Sequence, residues 1–298
     1  MIVRSILFAL MASLCATTSH ATNITVDPGV YNKTVKRTKA FLASEKGNLG
    51  AWVFQSKHNG WRDLKHKNKR RDNILFIPEK INALNDGDIT LIVWYHGLGG
   101  FKESTFRRSW QQVKEIMSET DHVVALAIPE MPWSVNTSTP RGRQGRVWTR
   151  TGEGGGFVRE STRLLTNVTG FDGRINVIIV GHSAGGSAIA SASAEGSICE
   201  LMPSVITSVV WSDASYGSWL SRAHNGCLGK QARLENIDVS VVVRKWDTPH
   251  KRATQFFKRK GRKDIYHYMV LPRKKYTHTK IGNNILLILL PDLFPPGC

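Results

Sequence analysis

The chain has 298 residues, of which 41% are apolar, enough to fill the core of one large α/β domain, so a chain too polar to fold is excluded. Lys and Arg number 41 against 23 Asp and Glu, a formal charge of +18 concentrated in runs at 65–71, 141–146, 258–263 and 273–275. Such a field can support nonspecific binding of polyanions, although charge runs are also ordinary solvated faces, and no motif for specific nucleic-acid recognition is present.

Residues 1–21 pair an early Arg4 with an apolar run over 6–14 and a small-residue ending at Ala21, the pattern of a cleavable signal peptide. The expectation is a secreted or periplasmic protein whose residues 22–298 form a single domain. The apolar run is too short for a stable membrane anchor, and no later stretch is long enough to serve as a transmembrane segment. With Cys15 removed, an export route permits Cys199 and Cys227 to pair, leaving Cys298 free or intermolecular.

Residues 22–50 are polar with weak periodicity and read as a loosely structured leading segment or an added helix over 31–42. Strands are expected at 51–54 and 73–78, flanking a basic loop at 57–72, and then at 89–95 and 123–129. Helices are expected at 102–118 and 157–167. The β-branched run 175–180 follows, and after it strands at 205–211, 239–243 and 265–271, with a helix at 251–258 and one face of a terminal helix at 285–290. Strands alternating with helices predict an α/β fold with a mostly parallel central sheet and helices on both faces.

The run 175–180 feeds into Gly181-His182-Ser183-Ala184-Gly185, a G-x-S-x-G turn between a strand and a helix of small residues. In that context the serine is held out of the sheet as a nucleophile, and the backbone N–H of Ala184 faces any oxyanion that develops. A second N–H is expected from the turn His96-Gly97-Leu98-Gly99-Gly100 after the 89–95 strand, with Leu98 favoured and Gly97 and Gly99 beside it. His96 and His182 are expected to brace these turns by hydrogen bonding.

With the Tyr95–Gly100 turn, the 181–185 elbow and candidate acids and histidines in the order Ser, Asp, His, residues 50–290 resemble an α/β-hydrolase. The resemblance implies the fold and a general hydrolytic chemistry, with ester cleavage through an acyl-enzyme on Ser183. The hydrolase order places the base after the last strand, which selects His278. Two aspartates end strands from which they could orient it: Asp247, in the commoner position and slightly favoured, and Asp213, in a known alternative one. The segment 130–156 borders the active-site mouth in this fold, and Arg143, Arg146 and Trp148 on it are expected to recognise an anionic group on the substrate. No cluster has metal-ligand spacing and no P-loop occurs, so neither metal nor other cofactor is expected. The alternative is an inactive hydrolase scaffold that holds polyanions at the cell surface.

Overall fold

Runs dominated by apolar residues become strands hidden on both faces. In β4 (Ile89–Tyr95) and β5 (Val123–Pro129) every residue is buried, the signature of a sheet covered by helices on each side. The computed structural model describes residues 24–45, 48–61, 69–83, 87–98, 100–131, 152–234 and 237–294. Before β4 come β1 (Ile24–Val26), α1 (Asn32–Ser44), β2 (Leu49–Trp61) and β3 (Lys69–Pro78), and α2 (Glu103–Glu119) joins β4 to β5. Then follow α3 (Glu153–Thr169), β6 (Ile175–His182), α4 (Gly186–Glu195), β7 (Ile206–Ser212), α5 (Trp219–Ala223) and α6 (Gly229–Arg233). β8 (Asp238–Arg244), α7 (Thr248–Phe257), β9 (His267–Leu271), α8 (His278–Ile288) and α9 (Leu290–Leu293) complete the order.

Among the described residues nine strands form one sheet in the order β1-β2-β3-β5-β4-β6-β7-β8-β9. β3 is antiparallel to both its neighbours and every other pairing is parallel. Alternate strand residues serve opposite cores. Leu91, Val93, Tyr95, Ile179 and Trp211 pack with Phe157 of α3, Ile189 of α4 and Phe256 of α7. Ile92, Trp94, Ile178, Val180 and Val210 pack with Phe41 of α1, Trp110 of α2 and Ile285 of α8. Each such side chain contributes about 1.5–3 kcal/mol by leaving water. The chain leaves β4 for β5 on one side and returns to β6 on the other, so strand order reverses at β4, where a crevice opens beyond the carboxyl ends of the strands.

Three expectations about the elements are corrected. The leading segment holds the helix given as an alternative, α1, and before it an unexpected strand, β1, which pairs in register with β2 (Ile24 with Ala51) and is pinned by Trp52 Nε1 donating to Asp27 Oδ1 at 2.7 Å. Within the expected 57–72 loop, 57–61 and 69–72 are strand, since β2 runs to residue 61 and β3 begins at 69. Asp72, within it, is fully buried and accepts from Tyr31 N at 3.2 Å, Gln55 Nε2 at 3.0 Å and the Thr34 hydroxyl, fixing the N-terminus of α1. Finally, α3 begins at Glu153 rather than near Phe157. Its Gly154-Gly155-Gly156 turn is poor in helix propensity, but Glu195 accepts from Gly152 N and Gly154 N at 2.6 and 3.0 Å and caps it.

Among the described residues no helix is long and apolar enough to cross a membrane. The signal-like residues 1–21 and Cys298 lie outside the described residues. Cys199 and Cys227 form a disulfide with a Cα–Cα separation of 6.0 Å, closing a 28-residue span from the end of α4 to the turn between α5 and α6. Closing a loop of that length should stabilise the fold by roughly 3 kcal/mol. Urea unfolding of a Cys199→Ser/Cys227→Ser variant checks this, and a free energy within error of the parent would contradict it.

Candidate active site

β6 ends at His182, and Ser183–Gly185 make a single 3-10 turn before α4. Ser183 has a φ of +54°, a conformation that costs a non-glycine residue energy and persists only where its surroundings impose it. Here the constraint is backbone against backbone: a Cβ on Gly185 would lie 2.0 Å from the Tyr95 carbonyl oxygen. The loop after β4 closes in from another direction, since a Cβ on Gly97 would lie 3.0 Å from Ser183 Cβ and 3.5 Å from its Oγ. Ala184 is buried in the turn and Leu98 is 69% exposed. Gly100 N donates to Gly97 O at 3.1 Å, shaping the loop around Leu98. Gly99 lies outside the described residues.

His278 stands at the first turn of α8 rather than in a loop, after Thr277, whose hydroxyl caps the helix by accepting from Lys280 N at 3.1 Å. α8 is fastened to α2 by the buried Gln112, which donates to Gly282 O at 3.1 Å and accepts from Leu286 N at 3.0 Å. His278 Nδ1 lies 2.7 Å from Asp213 Oδ2. Asp213 is fully buried, has a φ of +48° and accepts from Arg244 N at 3.1 Å through its other oxygen. A carboxylate at Nδ1 holds the proton there and leaves Nε2 as the basic nitrogen.

The slight preference for Asp247 is therefore corrected. Asp247 occupies the N-cap position of α7, and its carboxylate pairs with the Arg244 guanidinium three residues earlier. The bond to His278 belongs to Asp213, because β7 lies next to β6 in the sheet and ends beside the elbow, with Ser212 in register with His182.

Two further histidines brace the turns. His96 Nδ1 lies 2.6 Å from Gly97 O, and Met131 N donates to His96 Nε2 at 3.3 Å, which fixes a neutral ring with its proton on Nδ1. Burial pushes its pKa down to about 4. His182 Nδ1 lies 3.0 Å from Ser212 O, and its ring centroid is 4.7 Å from that of His278. Burial first, and then the charge of His278, push its pKa down to about 3.

Sequence reasoning gave no role to Tyr216, although the crowded 213–217 turn signals it. Its side chain lines the same cavity as Ser183, and burial, followed by the Asp213 charge, raises its pKa and keeps it neutral. Its ring meets Trp219 edge-on at 5.7 Å and His278 at 6.5 Å. Ser183, His278, Tyr216, Gly97 and Leu98 line one cavity of about 430 Å³, with Lys102 and Arg108 of the α2 end also on its wall. Arg143, Arg146 and Trp148 lie outside the described residues. Among the described residues no group of three His, Cys, Asp or Glu side chains could hold a metal ion.

No protein-family model matches the sequence, and no curated protein does. Solved structures do resemble it. An IroE-like serine hydrolase from Shewanella oneidensis aligns with a TM-score of 0.52 at 14% identity, over 83% of this chain and 80% of its own. A ferulic acid esterase aligns with a TM-score of 0.52 at 14% identity, over 83% of this chain and 98% of its own. At such identity the likeness is one of fold.

The two braced histidines make stability depend on pH. Both are neutral in the folded protein, with ordinary pKa values of 6.5 lowered to about 4 and about 3. The unfolded chain therefore takes up protons first as pH falls. Their contribution is complete above pH 6.5 and is lost towards pH 4, by about 1.4 kcal/mol per pH unit for each ring. Urea unfolding across that window should show a shallower acid slope for His182→Asn than for the parent; equal slopes would refute the assignment.

Proposed function

On the α/β-hydrolase fold that these solved structures share with the chain, we propose a serine hydrolase that cleaves carboxylic esters through an acyl-enzyme on Ser183. The observation that carries this reading is the 2.7 Å contact between His278 Nδ1 and buried Asp213, in the cavity where Ser183 is strained at the end of β6. Ser183 Oγ attacks the ester carbonyl carbon and gives its proton to His278 Nε2. Asp213 keeps the imidazole in the correct tautomer and stabilises the imidazolium that forms. The carbonyl oxygen, now negative, faces the N–H groups of Ala184 and of the 97–99 loop. Collapse of the tetrahedral adduct breaks the C–O bond, and His278 returns its proton to the departing alcohol. Water then repeats the sequence on the acyl group and frees Ser183. Tyr216, neutral beside the reacting group, forms part of the cavity wall.

The ester leaving group is favoured over an amine, since an ester's alcohol leaves more easily than an amine. Lys102 and Arg108 at the cavity wall favour an acyl or alcohol part that carries negative charge. The signal-like N-terminus supports export, and the disulfide suits an oxidising compartment.

Intact-mass analysis after fluorophosphonate treatment should give one adduct, absent from Ser183→Ala and His278→Ala. Asp213→Asn should lower kcat/KM for a short-chain ester by about 10³–10⁴-fold, and Asp247→Asn only severalfold. The reverse ranking would transfer the acid role to Asp247, and a folded protein with no adduct would favour the polyanion-binding scaffold. Separately, Arg108→Gln should raise KM for an ester bearing a carboxylate while leaving that for its neutral analogue in place.

A further inference from the structure

The 215–217 turn has two sides. Tyr216 faces the cavity of Ser183, whereas Ser215 and Gly217 line a second cavity of about 200 Å³. Its other walls come from Leu220 and Ser221 of α5, from α7, and from the segment that follows α7. That far wall carries Arg252, Arg259 and Arg262, and no residue lining the cavity is acidic. From this arrangement we infer that the second cavity is a binding site for a tetrahedral oxyanion, a phosphate or sulfate group.

The guanidiniums are uncompensated. Among the described residues no carboxylate pairs with any of the three, although Arg107, Arg159 and Arg244 each have an acidic partner. Arg262 is only 6% exposed. One of its nitrogens donates to Phe256 O at 3.2 Å, and its guanidinium carbon lies 3.9 Å from the centre of the Phe256 ring. These contacts fix the plane of the group but supply no negative charge. Burial and the like charge of Arg259 both lower its pKa, which marks a cation held where an anion would relieve the cost. Ser215 also lines the cavity, and its buried hydroxyl has no hydrogen-bond partner among the described residues. A buried hydroxyl without a partner costs free energy that a ligand oxygen would recover.

Donors thus converge from the 215–217 turn, from α7 and from the segment beyond it. Guanidinium forks match the paired oxygens of phosphate and sulfate. The cavity has room for one such group, which separates this site from diffuse attraction of polymers to a +18 surface. The inference is independent of whether Ser183 reacts, because none of these arginines lines the Ser183 cavity.

Isothermal titration with inorganic phosphate, with ionic strength held constant by sodium chloride, tests it on the disulfide-bonded protein. One saturable site is expected, weakened about tenfold or more in Arg252→Gln/Arg259→Gln, where two charge-assisted contacts are removed from exposed side chains. Lys258→Gln/Lys260→Gln removes the same charge from exposed neighbours outside the cavity and should keep the parent affinity. Ser215→Ala should weaken binding severalfold. Parallel titrations with sulfate and glycerol phosphate distinguish a free ion from an esterified group. Absence of saturable binding, or equal losses in the arginine and lysine pairs, would overturn the inference.

Discussion

Where the β6–α4 turn crosses the end of β4, main chain rests on main chain with no side chain between, and the rest of the site takes its position from that crossing. Gly185 meets the Tyr95 carbonyl there, and Ser183, two residues earlier, adopts a φ of +54°. Because β4, β6 and β7 are parallel, their carboxyl ends share one edge of the sheet. The crossing therefore fixes Ser183 relative to Gly97 after β4 and to Asp213 after β7. A strained serine is the cost of packing three backbone segments into one corner, and the two apolar cores beneath, each anchored by fully buried aromatics, hold it there.

Much of this was legible in the sequence because burial leaves a simple mark. Apart from Thr90, Ile89–Tyr95 and Val123–Pro129 are apolar or aromatic throughout, and their strand limits match the expected ones. G-x-S-x-G also places its serine reliably, since the glycine spacing states the close approach that the turn requires. What escaped was what depends on partners distant in the chain. Ile24–Val26 is too short to show a period, and β2 and the Trp52–Asp27 bond make it a strand. Glycines argue against a helix start at Glu153, and the capping carboxylate of Glu195 lies 41 residues from Gly154. Asp213 and Asp247 look alike as strand endings. Only the neighbouring of β7 and β6 brings one of them to a histidine 65 residues away.

In a chain this basic, two fully buried aspartates are conspicuous, and they are used in the same way. Asp72 gathers the N-terminus of α1, a glutamine and a hydroxyl; Asp213 gathers a backbone N–H of β8 and an imidazole. A carboxylate withdrawn from water survives only with such donors around it. The same donors tie together segments 17 to 65 residues apart in the chain, so positioning and cohesion are one effect here. His96 and His182 add the neutral counterpart: rings kept uncharged by burial, each fixed by a carbonyl, which stiffen the corner without placing a charge beside the reacting serine.

The location of His278 on α8, fastened to α2 through Gln112, has a consequence for how the protein comes into being. Ser183 and its elbow belong to the middle of the sheet, whereas the imidazole arrives with an element that follows the outermost strand, β9. A chain that has folded its centre but has not yet docked β9 and α8 carries the strained serine without its base. The arrangement around Ser183 is thus complete only when α8 has packed against α2.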